Sequence, residues 1–415
     1  MTGSTITRRG AIGAAVALGL PSIRRSYADA PVSLISHRYP GLEYYAEKIK
    51  TALPGVPVDA RLMQAPEAIQ LSRISLSARS NQMDLVWANN IVLASFAKSG
   101  WLEPLDDLWA KHAEEFNLND ISPTLVKSCM FGGHIYGMPL TVNTTVYAYR
   151  ADLYEQKGLT PATTWDGYIE NAKALTTPPR RYGATIALKS DMVANEMNAV
   201  MNTVGDGWFD KDWRPTFNSP RGIEAVETYK RLAKYAVPGF TAVHNDEHTV
   251  NMGQDIAAQG QQWATRCSSM DNPEKSRVVG KIKWTVMPSG GRQVGVSDIY
   301  CISRYSVKDK DTLFRIIATA LREENQRGAA ALAVPTRQAV VKDPALAEKY
   351  RWYPAVSQAL AIAQPMPSLP EFSEASEVIY KRIVQAIVGQ METKAALDAA
   401  ATEVQAMLAE RGYYK

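Results

Sequence analysis

The sequence predicts an α/β protein with enough chain for two domains. Strand-like and helix-like stretches alternate through its first part, and the 415-residue chain keeps about 385 residues once its first thirty are set aside. No second long apolar run follows that N-terminal segment, so nothing in the remainder has the length of a membrane span.

The elements follow in order. Val32–Ser36 reads as a strand, and the stretch after Pro40 sets Leu42, Tyr45, Ala46, Ile49 and Leu53 on one helical face until Pro54-Gly55 breaks it. Val56–Met63 reads as a second strand, Ile69–Ala78 as a helix, and "MDLVWANN" as a strand ending in two amides, Asn89 and Asn90. This alternation predicts a largely parallel sheet, in which ligands bind beyond the carboxyl ends of the strands. His37-Arg38 and Asn89-Asn90 fall at such ends. Further on, "GHIYGMPLTVNTTVYAYRADLYEQKGL" contains a short alternating strand interrupted by the polar run Asn143-Thr144-Thr145, with Tyr147 and Tyr149 as its apolar support. The middle of the chain is helical. Thr164 caps "WDGYIENAKAL", while Ser219 caps a helix with Pro220 at its first position and a stop at Pro238-Gly239. The C-terminal end reads as two helices, the last ended by Gly412.

Residues 1–30 are read as an export signal. Thr7-Arg8-Arg9 precedes the short apolar run Gly10–Leu20, then Pro21 and a small-residue site at Ser26-Tyr27-Ala28 or Ala28-Asp29-Ala30. Paired arginines before a weakly apolar stretch describe the twin-arginine type, and Arg24 and Arg25 suit that route. No cysteine follows the run, so a lipid anchor is not expected. The formal net charge of +4 shrinks to about 0 on cleavage after Ala28 and to about +1 after Ala30. The basic balance therefore belongs to the leader and gives no reason to expect nucleic acid as a partner. Cys129, Cys267 and Cys301 lack metal or redox spacing and read as buried thiols.

Catalytic and metal motifs are not found. His244 and His248 stand at i, i+4 without the H-E-x-x-H order or an evident third ligand, and read as a solvated polar turn. Ser289-Gly290-Gly291 lacks the nucleophile-elbow setting, and Gly132-Gly133 is neither a phosphate loop nor a dinucleotide fingerprint. No cofactor is expected. A binding role is the stronger reading, since amides, His, Arg and Trp on loops and strand ends are what a hydroxyl-rich ligand with an apolar C–H face requires. Of nine tryptophans, Trp208 and Trp263 lie in glycine-flanked polar surroundings, whereas Trp101, Trp165 and Trp284 read as core.

Four stretches then carry a resemblance. "SFAKSGWLEPLDDL", the Gly133–Leu159 segment followed by "PATTWDGYIENAKALT", "ALAVPTRQAVVKDPAL" and the terminal helices occur in the order seen in family 1 extracellular solute-binding proteins. The chain resembles these sugar-binding receptors of ABC importers over nearly its whole length after the leader. That resemblance implies a two-lobed, Venus-flytrap fold of type II, with mixed sheets flanked by helices and hinge crossovers between lobes. It implies an N-terminal lobe of 31–141 plus 298–335 and a C-terminal lobe of 142–297 plus 336–415. Crossings are implied near Thr141–Thr145 and Val294–Ile302, with a return near Val334–Arg337. It also implies a periplasmic monomer that binds a carbohydrate-like ligand reversibly and delivers it to an inner-membrane permease, without catalysis.

Motif by motif, the resemblance implies ligand contacts at His37, Asn89, Asn90, Asn143, Thr144, Ser297, Asp298 and Arg337. It adds Trp263 as a stacking platform and Trp208 as a further aromatic candidate. One departure matters. Many relatives carry aspartate where Asn89 and Asn143 stand, so an anionic or amide-bearing sugar derivative or other small polar solute, an anionic one complemented by His37, Arg38 and Arg337, is the alternative to a neutral sugar or polyol. Two further classes stay open. An exported carbohydrate-active enzyme would need acid–base residues, of which Asp298 is the only carboxylate near the expected cleft. A receptor that binds a partner without transport would share the fold.

Overall fold

The computed structural model describes residues 30–189 and 192–414. The leader read over residues 1–30 therefore lies, Ala30 apart, outside the described residues.

Eleven strands are described: β1 (Val32–His37), β2 (Val58–Met63), β3 (Leu85–Asn89), β4 (Met130–Phe131), β5 (His134–Ile135), β6 (Gly137–Arg150), β7 (Tyr182–Thr185), β8 (Ala257–Trp263), β9 (Ile282–Thr285), β10 (Val294–Ile302) and β11 (Gln364–Pro365). Nine join one sheet in the order β2-β1-β3-β10-β6-β8-β7, with β11 on β10 and β9 on β6. β1, β2 and β3 are parallel to one another, as are β7 and β8. The expected largely parallel sheet is corrected at its centre, because β10 runs antiparallel to both β3 and β6, and β6 runs antiparallel to β8. Parallel strands here come from short strand–helix repeats, whereas β6 and β10 are crossing strands that enter from the other half of the molecule.

β6 shows how the crossing is made. Its 14 residues span about 46 Å at the usual rise of a strand. Gly137–Thr144 pair with β10, and from Thr145 onward the partners become β8 and β9. The alternation read from the sequence decides what lies on each side. Tyr147 and Tyr149 enter a large core with residues of the helices Trp165–Leu175, Met192–Thr203, Pro220–Ala233, Phe372–Ile387 and Thr393–Glu410. Val146 and Ala148 face the opposite way, into a smaller core with Trp284, Trp352 and Tyr353. A separate core gathers residues between Val32 and Leu140 with residues between Ile299 and Ala333.

Local chemistry accounts for the helices. Leu42, Tyr45, Ala46 and Ile49 are buried along Pro40–Lys50, while Leu53 falls in the turn beyond it. Thr164 Oγ1 accepts the Gly167 N–H at 3.1 Å, and Ser219 Oγ accepts that of Gly222 at 3.0 Å. The helix after Pro220 stops at Ala233, ahead of Pro238-Gly239. Gly412, with φ of 82°, follows the last helix. Trp165 and Trp284 are buried, and the three cysteines are buried free thiols.

The His244–His248 stretch is not a solvated turn. His244 caps the helix Asn245–Gly253, its N–H donating back to Glu247 at 3.1 Å, and His248 is buried with Nε2 at 3.1 Å from the Thr185 carbonyl. Burial pulls the His248 imidazole down to about 4 and pushes the neighbouring Glu196 carboxyl up to about 8. Both groups are thus held neutral beneath the end of β7.

Candidate functional site

The carboxyl ends of β1, β3 and β8 meet the crossing strands β6 and β10 in one continuous row. Register places Asn89 opposite Asp298, Asp298 opposite Thr141, Asn143 opposite Val296, and Thr145 opposite Trp263. From β1 to β8 this row is about 19 Å wide at ordinary strand spacing. It joins the N-terminal core to the C-terminal cores. Ile91, which opens onto the row from the helix Asn90–Lys98, packs against the large C-terminal core together with Val296 and Trp263.

At the β1 end, the His37 ring lies 5.4 Å from that of Tyr39 and 5.2 Å from that of Trp87. Its Nδ1 is 3.4 Å from the Met63 carbonyl oxygen, and the side chain is half-buried. Asn89 is the cap of the helix Asn90–Lys98: its Oδ1 accepts from Ile91 N and Val92 N, both at 3.0 Å. With that oxygen committed, its Nδ2 is the polar group of the side chain that the cap does not use. Asn90 Oδ1 accepts the Ser297 N–H at 3.2 Å, again leaving Nδ2. On the far side of the row Asn143 Nδ2 donates to Thr265 Oγ1 at 3.0 Å, and its Oδ1 receives Thr265 N–H at 3.4 Å. Asn143 therefore ties the crossing strand to the turn after β8, beside half-buried Trp263.

Besides Asn143, four more expected contacts have other partners. Thr144 is fully buried and donates to the Val294 carbonyl at 2.7 Å, so the protein itself completes its hydrogen bond. Trp208 lies in the large C-terminal core, with Nε1 donating to Asn198 Oδ1 at 2.9 Å. Arg337 is 1 % exposed; its guanidinium donates to the carbonyls of Leu321, Asn117 and Phe116. A sequence motif reports that an arginine is required there, but not whether a ligand or three backbone oxygens require it. Ser297 is buried, its hydroxyl 3.0 Å from that of Ser128.

Asp298 is a further case and the most informative. Tyr39 Oη donates to Oδ2 at 2.8 Å and Trp87 Nε1 donates to Oδ1 at 2.9 Å. Burial pushes this carboxyl up to about 6, and the two donors oppose that rise. Tyr39, Trp87, Thr265 and Gln261 were not singled out from the sequence. For the glutamine the signal was present: in "QGQQW", Gln259, Gln261 and Trp263 alternate on one strand face. A polar cavity of about 440 Å³ also opens among Asn202, Asp206, Arg221 and Arg292, away from this row. Its Arg221 and Asp206 pair with each other at 3.3 Å.

A two-lobed α/β fold, with strand-end amides, an imidazole and an indole around its crossing strands, has the architecture of a solute-binding protein. The chain belongs to the bacterial extracellular solute-binding protein family, whose model matches residues 39–327. It is 24 % identical over 368 residues to the mannitol-binding protein of Pseudomonas aeruginosa, covering 82 % of this chain and 84 % of that one. Among solved structures it is similar to an ABC transporter solute-binding protein of Agrobacterium radiobacter in complex with ribitol. There the TM-score is 0.84 at 24 % identity, over 92 % of this chain and 99 % of that one. It is also similar to the maltose-bound MalE3 of T. maritima, with TM-score 0.82 and 22 % identity over 91 % and 100 % of the two chains. At these identities the solved structures establish the fold.

Proposed function

We propose that the protein is the periplasmic receptor of an ABC importer and binds a neutral polyol or sugar reversibly between its lobes. The observation that carries this reading is the row of polar groups across β1, β3, β10, β6 and β8, whose carboxylate, Asp298, is taken up by Tyr39 and Trp87. Asn89 Nδ2 and Asn90 Nδ2 face it as donors, and Trp263 supplies an apolar surface. The family and the relatives that carry mannitol, ribitol and maltose support the solute class. The lobes are taken as 31–141 plus 298–335 and 142–297 plus 336–415, a division supported by the separate cores on either side of Thr141 and Asp298, while Ala330 and Val334 pack across it with Trp352 and Tyr353.

The finer statements rest on the sequence. Residues 1–30 act as a twin-arginine leader, and the exported chain works as a monomer, delivers its ligand to a membrane permease and turns nothing over. The anionic alternative loses one of its three cations, because Arg337 spends its donors on backbone carbonyls. Exposed Arg38 remains at the mouth beside His37, so acids belong in the screen. Thermal unfolding with mannitol, ribitol, tagatose and maltose, and with mannonate and ribonate, is the test. A neutral ligand should raise the midpoint, since binding to the native state stabilises it. Stabilisation by the acids alone would sink the neutral reading.

A further inference from the structure

The C-terminal wall of the row carries two buried polar atoms for which the protein provides nothing. Gln261 Oε1 and Thr145 Oγ1 have no hydrogen-bond partner among the described residues, and their side chains are 4 % and 2 % exposed. Such groups are uncommon in native proteins, and each calls for a partner. The two belong together. Tyr147 pairs with Gln261 and Thr145 with Trp263, so Gln261 and Thr145 are diagonal neighbours on one face of the β6–β8 ladder.

The same strand supplies an internal comparison. Two positions deeper, Gln259 is satisfied at both ends: Nε2 donates to the Tyr168 carbonyl at 2.8 Å, while Oε1 receives the hydroxyls of Tyr147 and Tyr154. At Gln261 only the nitrogen is used, donating to the Asn195 carbonyl at 2.5 Å. That bond fixes the amide, because a flipped side chain would set oxygen against oxygen. One step further out on this face stands half-buried Trp263. The series runs from a sealed core to the candidate site, and the missing partner falls where the site begins.

We propose that Gln261 Oε1, with Thr145 Oγ1 beside it, receives a hydroxyl of the bound solute and selects neutral hydroxylated ligands over anionic ones. This inference rests on the reading of the row as a polyol or sugar site. An amide oxygen locked by its own nitrogen can only accept, so the ligand must present a proton there. A hydroxyl does so, whereas a carboxylate or phosphate oxygen would face the acceptor with none. Thr145 can donate or accept, so it tolerates either end of a neighbouring hydroxyl. The position thereby excludes an anionic oxygen from this point of the site, which the Asn89 and Asn143 amides do not.

Calorimetry on the full exported chain tests this, with mannitol, ribitol, tagatose and maltose as probes and mannonate and ribonate as acids. For whichever neutral probe binds, Gln261→Met should weaken it about tenfold or more and narrow the preference over the acid, with the thermal midpoint moving by no more than about 2 °C. Thr145→Val, which keeps the β-branched shape of the strand residue, should weaken it about threefold to fivefold and serves if the methionine variant does not fold. Unchanged affinity in a variant whose midpoint falls would overturn the proposal and make the pair structural. Failure of every neutral probe to bind the native chain would overturn the functional reading, and this inference with it.

Discussion

Tyr39 Oη lies 2.8 Å from Asp298 Oδ2, joining the turn after the first strand to a crossing strand 259 positions later. Trp87 Nε1 holds the other carboxylate oxygen. The one carboxylate that the sequence set near the cleft is thus turned into the protein, between two donors, with no second acid beside it. That arrangement ties the turn after β1 and the strand β3 to the crossing strand β10.

The Asp298 environment gives a pH dependence with a definite sign. Its folded-state value of about 6 lies above the ordinary carboxylate value, so between roughly pH 4 and 6 the native state holds a proton that the unfolded chain has released. Its contribution therefore falls as pH rises through that window, by up to about 3 kcal/mol. Chemical denaturation of the native chain and Asp298→Asn at pH 4, 5, 6 and 7 should show this component lost in the variant, whose amide does not titrate. Equal slopes in both proteins would contradict it.

Arg337 is expected to be a stability residue. Removing its side chain in Arg337→Met leaves the carbonyls of Leu321, Asn117 and Phe116 without these donors, at a cost of about 3 kcal/mol or more. Urea unfolding should show the loss, while the ligand affinity of the protein that remains folded should change less than about threefold. A selective loss of affinity with normal stability would return Arg337 to the binding site.

The two tryptophans should separate. Trp208→Phe breaks the 2.9 Å bond to Asn198 within the core and should cost about 1–3 kcal/mol of stability with affinity retained. Trp263→Ala should weaken ligand binding about tenfold or more. Denaturation and calorimetry on both variants decide this, and the reverse pattern would exchange their roles.

A contact between the N-terminal core and the large C-terminal core is open to the same kind of test. Lys98 Nζ, on the helix that Asn89 caps, donates to Glu371 Oε1 at 2.8 Å and stands 3.4 Å from Tyr413 Oη. Helix Asn90–Lys98 packs into the N-terminal core, whereas Phe372, next to Glu371, lies in the large C-terminal one. The Lys98 and Tyr413 hydrogen bonds outweigh burial and hold the Glu371 carboxyl below its ordinary value. Lys98→Met should cost only about 1 kcal/mol of stability, because the lysine is half-exposed. It should nonetheless change ligand affinity about twofold to tenfold, since the pair biases one arrangement of the lobes. An unchanged dissociation constant would show that the pair has no part in closure.

The sequence by itself determined the elements, because strand alternation, helical spacing, caps and proline–glycine stops act over a few residues. Leu42, Tyr45, Ala46 and Ile49 are buried as their spacing requires, and Thr164 and Ser219 cap as their chemistry requires. The imidazole-bearing end of β1 and the amide-bearing end of β3 were legible for the same reason. Tertiary structure alone decided which polar side chains remain for a ligand. Thr144, Trp208, Asp298 and Arg337 have the chemistry of a binding site, but their partners come from Val294, Asn198, Tyr39 and the Phe116–Asn117 turn, all distant in sequence or set by a local fold that spacing does not encode. Gln261 is the converse: it reads as an ordinary strand glutamine until three-dimensional packing satisfies its nitrogen and leaves its oxygen alone. Whether a polar group belongs to the core or to the ligand depends on that hydrogen-bond count, which exists only once the chain has folded.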